Sequence, residues 1–470
     1  MTDEVPSGLA GNAQVATQRG RGIIPRVVGI TRFPYYALLL GPTLVLAEYG
    51  TTHVSPDHLT RPLVVLTTLG AVVFGLLGVA ARRWHLAAVT ASMGILSVLG
   101  RWELFFALIA ALLFVAWRSV KRRGSWADAS RLTPPLNVFT TAWCGIALVT
   151  AVVATIPQPM VASERMSIGQ GPNVYLILLD AYPRHDTLMS YFEHDNEPFL
   201  NALRDRGFDV AERSESGYVS TILTVPSILH VRRVEELLVE PWDGSDAQHR
   251  LLWQHLNAAP IPQAYEDAGY RTYSIISGAP ALDWRTADIV LDNRWLTFFE
   301  SHLIERGVLG WIFPDRSLHH ASYRASVLDA FDYLESSAGT SKRFVLAHIL
   351  SPHDPYAFAP DGSPAAPCDS PLCTNHVGPP NPTLADRFIG QLQFLNGRIL
   401  EAVDHIIEAD PDGVVIVFSD HGLRRDPDDL PEWTRTLFAA RNATYPDDVS
   451  TIDIFPGLPE WHASSDESTQ

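Results

Sequence analysis

The chain has 470 residues, a formal net charge of −17 with histidine neutral, and a composition that is 47% hydrophobic. Its acidic balance excludes a nucleic-acid-binding protein, because phosphate backbones reward basic surfaces. A phosphate-bearing substrate is not excluded, since a bound divalent ion inverts the local field. The charge is also unevenly placed. Up to Ile156 there are 13 Lys and Arg against 6 Asp and Glu, and beyond it 22 against 46. A basic, apolar front and an acidic, polar back are not expected to share one core.

Residues 1–32 carry Arg19, Arg21, Arg26 and Arg32 and lack an apolar signal-peptide core, so they read as a cytoplasmic tail. Residues 33–156 read as a membrane domain of about five helices. Pro62 to Ala81 and Leu136 to Ile156 are uncharged and pass the length a bilayer requires, about 20 residues. Phe33 to about Ser55 is interrupted only by Glu48 and His53. Leu86 to Gly100 and Leu104 to Trp117 are shorter and flank Arg101-Trp102-Glu103, a tight hairpin. Arg82, Arg83, Arg118, Lys121, Arg122, Arg123 and Arg131 mark cytoplasmic connections. The chain after Ile156 is then expected outside. Glu48 and Glu103 fall at the outer interface, where a charge costs little. Residues 157–171, with Pro157 and Pro159, read as a linker, and 172–470 as an extracytoplasmic domain.

That domain alternates short apolar runs with helical patterns, which predicts an α/β fold with a mostly parallel sheet. Asn173 to Leu179 ends in Asp180. Phe344 to Leu350 ends in Ser-Pro-His353-Asp-Pro-Tyr. Gly413 to Phe418 ends in Ser-Asp420-His421-Gly. Tyr270 to Ile276 is a fourth strand, and Ala385 to Glu408 the clearest helix. Ligands bind beyond the carboxyl ends of such strands. One aspartate there is ordinary turn chemistry. Three strand ends that each deliver Asp or His point to a divalent metal, Zn or Mn before Ca. His348, inside an apolar strand, reads instead as a core histidine.

Ser214 to His230 holds several hydroxyls ahead of an apolar helical run, with Pro226 suited to a first turn. A hydroxyl there could attack a transferring anion favoured by the helix N-terminus. The same residues could equally form a Ser/Thr-rich loop and N-cap. Cys144 reads as a packing residue. Cys368 and Cys373, with four residues between them, could close a disulfide loop in an oxidising compartment, or form half of a metal site.

The order Asp180, Thr221, His353, Asp420-His421 resembles the alkaline phosphatase/sulfatase superfamily. It is similar in particular to its membrane-anchored branch, which includes lipoteichoic acid synthases and phosphoethanolamine transferases. The resemblance implies an α-helical transmembrane domain followed by an alkaline-phosphatase-like (sulfatase-like) catalytic domain. It implies Asp180, Thr221, Asp420 and His421 as metal ligands, Thr221 as nucleophile in Thr-Ile-Leu-Thr-Val-Pro, and His353 as a substrate contact. A related pattern, Thr-x-Pro-Ser, would nominate Thr224 instead. The implied activity is metal-dependent transfer or hydrolysis of phosphoesters, with a membrane lipid or envelope glycan as substrate. Sulfuric ester hydrolysis and a catalytically silent membrane scaffold are the alternatives. The Cys-x-Pro-x-Arg signature of formylglycine sulfatases is absent. Ala181 stands where calcium-dependent sulfatases have a second Asp, and Leu423 where transferases place Glu. No histidine lies between His421 and His462, where a second metal would find a ligand.

Overall fold

A computed structural model describes residues 32–50, 56–121, 129–278, 282–292, 295–312, 317–366, 382–423, 430–458 and 461–462. The first 155 residues contribute five α-helices among those described: α1 (Tyr36–Tyr49), α2 (Asp57–Ala81), α3 (Trp84–Val98), α4 (Trp102–Lys121) and α5 (Thr133–Thr155). Then come β1 (Ser167–Ile168), β2 (Val174–Leu179), α6 (His185–Phe192), α7 (Glu197–Asp205), β3 (Phe208–Val210), α8 (Thr221–His230), α9 (Val234–Leu237), α10 (Asp246–Asn257) and α11 (Pro260–Asp267). The rest comprises β4 (Arg271–Ile275), β5 (Ile289–Leu291), α12 (Phe298–Glu305), α13 (Val308–Ile312), α14 (Ser317–Ser337), β6 (Arg343–Ile349), α15 (Pro382–Ala409), β7 (Val414–Ser419), β8 (Phe438–Arg441) and β9 (Trp461–His462). The chain divides into two compact units. One holds Met1–Thr43, Val65–Ile95 and Glu103–Ile146; the other holds Leu44–Val64, Leu96–Trp102 and Ala147–Gln470.

In the first unit the start of α1 is fixed by Asn137. Its amide oxygen accepts from the Tyr36 N–H at 3.0 Å, and its nitrogen donates to the Phe33 carbonyl at 2.8 Å. A buried polar side chain satisfied at both ends costs little and fixes register. α5 opens Thr-Pro-Pro, where proline's missing N–H would have had no helical partner anyway. The helices α2 and α5 are long and apolar enough to cross a membrane by length and composition, and most of each apolar window is exposed. Val65, Leu69, Val72, Leu76 and Val79 on α2, and Val138, Phe139 and Ile146 on α5, all face outward. Gly100, at φ +63°, takes the left-handed position between the end of α3 and the start of α4.

In the second unit a seven-stranded sheet runs in the order β3-β8-β7-β2-β6-β4-β5. The pairs β7–β2, β2–β6, β6–β4 and β4–β5 are parallel, while β8 is antiparallel to both β7 and β3. The sheet is thus mixed, with a parallel centre. Every residue of β2, β6 and β7 is buried. Tyr175, Ile177 and Leu179 face one layer that includes Phe388, Leu392, Leu395 and Ile399 of α15. Val174, Leu176 and Leu178 face the other, with Val225, Ile228 and Tyr265. Burial on both faces is why these strands read as unbroken apolar runs and not as alternating ones.

One expectation is refined. Residues 157–171 are not a bare spacer: Ser167 and Ile168 pair with His462 and Trp461 as a small antiparallel sheet. The Gln158 N–H donates to Gln254, and the Gly171 N–H to the Tyr270 hydroxyl. The proposed disulfide of Cys368 and Cys373 lies outside the described residues, as does the tail before residue 32.

Candidate metal centre and active site

The register of the central strands builds the site. Leu179 pairs with both Ile349 and Ser419, so β2, β6 and β7 end at one level. The residues that follow, Asp180, the 350–356 loop and Asp420-His421, therefore emerge side by side. The Asp180 N–H donates to the Ile349 carbonyl at 3.0 Å, and the His353 N–H to the Asp180 carbonyl at 3.0 Å. Ala181 then turns at φ +61° and directs its N–H to Asp420 Oδ1 at 3.2 Å. Ser419 ties the third strand end: its hydroxyl accepts from the Tyr182 N–H at 2.8 Å and donates to the His421 carbonyl at 2.9 Å.

Asp180, Asp420 and His421 present one ligand atom each, all within 4.8 Å of one another. His421 Nε2 lies 3.5 Å from Asp180 Oδ1 and 3.6 Å from Asp420 Oδ2. Those two carboxylate oxygens are buried and have no hydrogen-bond partner. His421 Nδ1 faces the Gly422 carbonyl at 2.8 Å, the contact that fixes the tautomer with Nε2 as ligand atom. Two orphaned anionic oxygens beside an oriented imidazole would be costly in a dry site without a cation. The donor set fits a divalent metal, and one carboxylate pair with imidazole suits Zn or Mn better than Ca.

Gly422 is required by packing. A Cβ there would stand 2.4 Å from the Glu432 carbonyl oxygen and 2.8 Å from that of Arg435. Its N–H donates to the Trp433 carbonyl at 2.7 Å, which clamps the Asp-His-Gly turn onto the following segment.

The structure places His348 at this site, not in an inert core. Its Nε2 lies 3.1 Å from Asp180 Oδ2, the oxygen on the far side from His421. Burial lowers the His348 pKa, but the hydrogen bond and charge of Asp180 outweigh it and the net shift is upward. Burial likewise pushes Asp180 up; the charge of His353, the hydrogen bond from His348 and the nearness of His421 overcome it and hold the carboxyl well below its usual range. Nothing in the sequence around His348 separates this role from that of a packed strand histidine.

His353 sits at the rim, half-buried. Its Nδ1 lies 2.7 Å from Asp354 Oδ1. Burial opposes its charge, but Asp180 and Asp354 raise it to about 10. Its ring lies 6.3 Å from that of His421, nearly perpendicular. The loop is held from behind by residues the sequence did not single out. The Tyr323 hydroxyl lies 2.6 Å from the Leu350 carbonyl and 2.7 Å from that of His353. Gln391 donates to the Pro352 and His353 carbonyls and accepts from the Ala357 N–H.

Thr221 is the first residue of α8 and is buried. Thr224, one turn on, is fully buried, and its hydroxyl lies 2.9 Å from the Asp420 carbonyl and 3.1 Å from that of Ser220. The helix start is thus fastened to the Asp-His loop.

No family model and no curated protein matches the sequence. Among solved structures, the chain is similar to the C-terminal periplasmic domain of EcEptC from Escherichia coli in complex with Zn. That match has 14% identity and a TM-score of 0.37, over 60% of this chain and 77% of that one. It is also similar to the integral membrane protein lipooligosaccharide phosphoethanolamine transferase A (EptA) from Neisseria meningitidis. There the identity is 13% and the TM-score 0.36, over 89% of this chain and 76% of that one. A putative sulfatase from Bacteroides thetaiotaomicron matches at 12% identity with a TM-score of 0.36, over 61% of this chain and 70% of that one.

Proposed function

We propose that this chain is a multi-pass membrane protein whose extracytoplasmic domain is a sulfatase-like, metal-dependent phosphoester transferase or hydrolase. One observation carries the reading: the unpartnered buried oxygens of Asp180 and Asp420 converge with His421 beside the start of α8. Asp180, Asp420 and His421 would hold the metal, with Thr221 as a further ligand. Once bound, such an ion lowers the pKa of a neighbouring hydroxyl and neutralises charge on a transferring phosphoryl group.

Thr221 is the preferred nucleophile over Thr224. Thr224 spends its single proton on a main-chain carbonyl and is enclosed, whereas Thr221 stands at the helix N-terminus, where an anion is favoured. In this mechanism the Thr221 oxygen attacks phosphorus in line and the alcohol leaves. The phosphorylated threonine is then opened by water or by a glycan hydroxyl. His353, cationic beside Asp354, would lie toward the anionic oxygens and favour the extra charge that develops. A membrane lipid or an envelope glycan as substrate would account for a site anchored to a bilayer.

The test is cleavage of phosphate and sulfate monoesters and diesters by the full chain in detergent, with Zn or Mn added, beside Thr221→Ala. Metal-dependent phosphoester cleavage lost in the variant supports the reading. Cleavage of sulfate esters alone would replace it with a sulfuric ester hydrolase. Full activity in Thr221→Ala would remove Thr221 from its role.

A further inference from the structure

Between β5 and α14 the chain exposes a cluster of large apolar side chains on an otherwise acidic domain: Trp295, Phe298, Trp311 and Ile312. Trp311 and Ile312 are the most open, at 67% and 61%. Exposed apolar groups singly need no explanation, but four within eighteen residues of chain call for one. Their positions along the chain follow α12 and α13, two short helices, the first capped by a Thr297–Glu300 box.

What this segment is fastened to says what covers it. The Trp311 ring stacks on that of Trp102, the first residue of α4, with centroids 4.7 Å apart and planes 12° apart. Phe299 packs edge-on against Tyr49, the last residue of α1, at 6.4 Å. Glu48, one residue earlier, receives His302 at 2.9 Å, and also Arg306 and Arg101. Arg61, in the first turns of α2, pairs with Glu300. The backbones themselves touch. A Cβ on Gly100 would fall 1.7 Å from the Arg306 carbonyl oxygen, and one on Gly307 would fall 1.6 Å from that of Val98. Glycine on each side of the crossing is what permits this approach.

The segment therefore meets the ends of α1, α2, α3 and α4 that lie on the catalytic-domain side. If those helices cross a bilayer, their ends lie at head-group depth, and so does whatever is docked on them. Tryptophan with arginine is also the composition favoured at that depth. We propose that residues 295–312 are seated in the head-group zone of the leaflet on the catalytic-domain side, as an interfacial element of the domain; this rests on the membrane reading above. The same segment is tied to the helix that braces the active-site loop. The Leu296 carbonyl accepts from the Ser322 hydroxyl at 2.9 Å, and the next residue, Tyr323, braces the His353 loop.

The test uses the full chain in phospholipid vesicles, with its three native cysteines replaced by serine and an environment-sensitive fluorophore on Ile312→Cys, Val239→Cys or Leu113→Cys. Val239 is an exposed apolar residue elsewhere on the domain, and Leu113 an outward residue of α4. At Ile312 a nitroxide near the lipid head group should quench strongly, and aqueous iodide at least about threefold less than at Val239, as expected for burial of several ångströms. Iodide quenching at Ile312 equal to Val239, with Leu113 quenched by lipid, would overturn the proposal and leave the membrane reading standing. Loss of lipid quenching at Leu113 as well would remove both. Should the cysteine-free chain fail to fold, a benzoyl-phenylalanine at Ile312 in the native background should crosslink phospholipid on irradiation. The same group at Val239 should not, and equal crosslinking at both would count against the seat.

Discussion

The Thr224 hydroxyl donates to the main-chain carbonyl of Asp420 at 2.9 Å, joining the helix that begins with Thr221 to the loop that carries two candidate metal ligands. The two threonines then have separable tasks. Thr221→Ala should lower turnover by at least about a thousandfold, as loss of a nucleophile does, even with metal added to saturation. Thr224→Val keeps the shape but strands a buried carbonyl, at a cost of about 1–3 kcal/mol. Its signature should be a lower unfolding temperature with measurable turnover retained. Metal content, thermal unfolding and kcat on the three proteins decide it; the opposite pattern would make Thr224 the nucleophile.

The metal should be a folding ligand as well as a catalytic one. Asp180 and Asp420 place unpartnered oxygens in a dry site, so chelation leaves like charges facing each other. At a metal concentration a hundredfold above Kd the bound ion contributes about 2.7 kcal/mol, and chelator should lower the unfolding temperature accordingly. In Asp420→Asn the same chelator should do almost nothing, because the site no longer binds and one charge is gone. A chelator-induced shift of equal size in that variant would show that the ion sits elsewhere.

His348 is tested by its grip on Asp180. Its Nε2 bonds Asp180 Oδ2 and orients the carboxylate so that Oδ1 faces His421. Partners of this kind typically contribute 10–100-fold to metal affinity. His348→Ala should weaken Zn or Mn binding by about that factor, and His348→Gln, which can still donate, by less. Competition with a chromophoric chelator reads both. Equal affinity in wild type and His348→Ala would return His348 to a packing role.

Some of this was legible in the sequence for definite reasons. β2, β6 and β7 are buried on both faces, so each is an apolar run with a polar end, and those ends named Asp180, His353, Asp420 and His421. The five N-terminal helices were visible for a different reason, their long and nearly uncharged apolar runs. His348 was not, because a histidine inside a strand looks the same whether it packs or bonds a carboxylate; only the 3.1 Å contact across two strands separates the cases. Gln391 and Tyr323 were hidden because the loop they brace is distant in sequence. The sheet's antiparallel edge was missed because β3 and β8 have 3 and 4 residues, too short for a pattern to show.

The last prediction concerns acid, and lies away from the metal. His230, at the end of α8, is buried with its Nδ1 3.0 Å from the Ser163 hydroxyl and its Nε2 2.9 Å from the His255 carbonyl. Its ring is 5.2 Å from that of His255, whose own pKa burial also lowers. Burial pushes His230 down to about 4 from 6.5. The fold thus holds the neutral form, while the unfolded chain protonates near 6.5. Stability from this group is fully present above pH 6.5 and is lost as pH falls toward 4, up to about 3 kcal/mol. His230→Gln cannot titrate, so its unfolding temperature should fall less between pH 7 and pH 4.5 than that of the wild type. Both proteins should be compared with chelator present, so that loss of bound metal does not contribute to the difference. Parallel pH curves for the two would mean that His230 is not the group that senses acid.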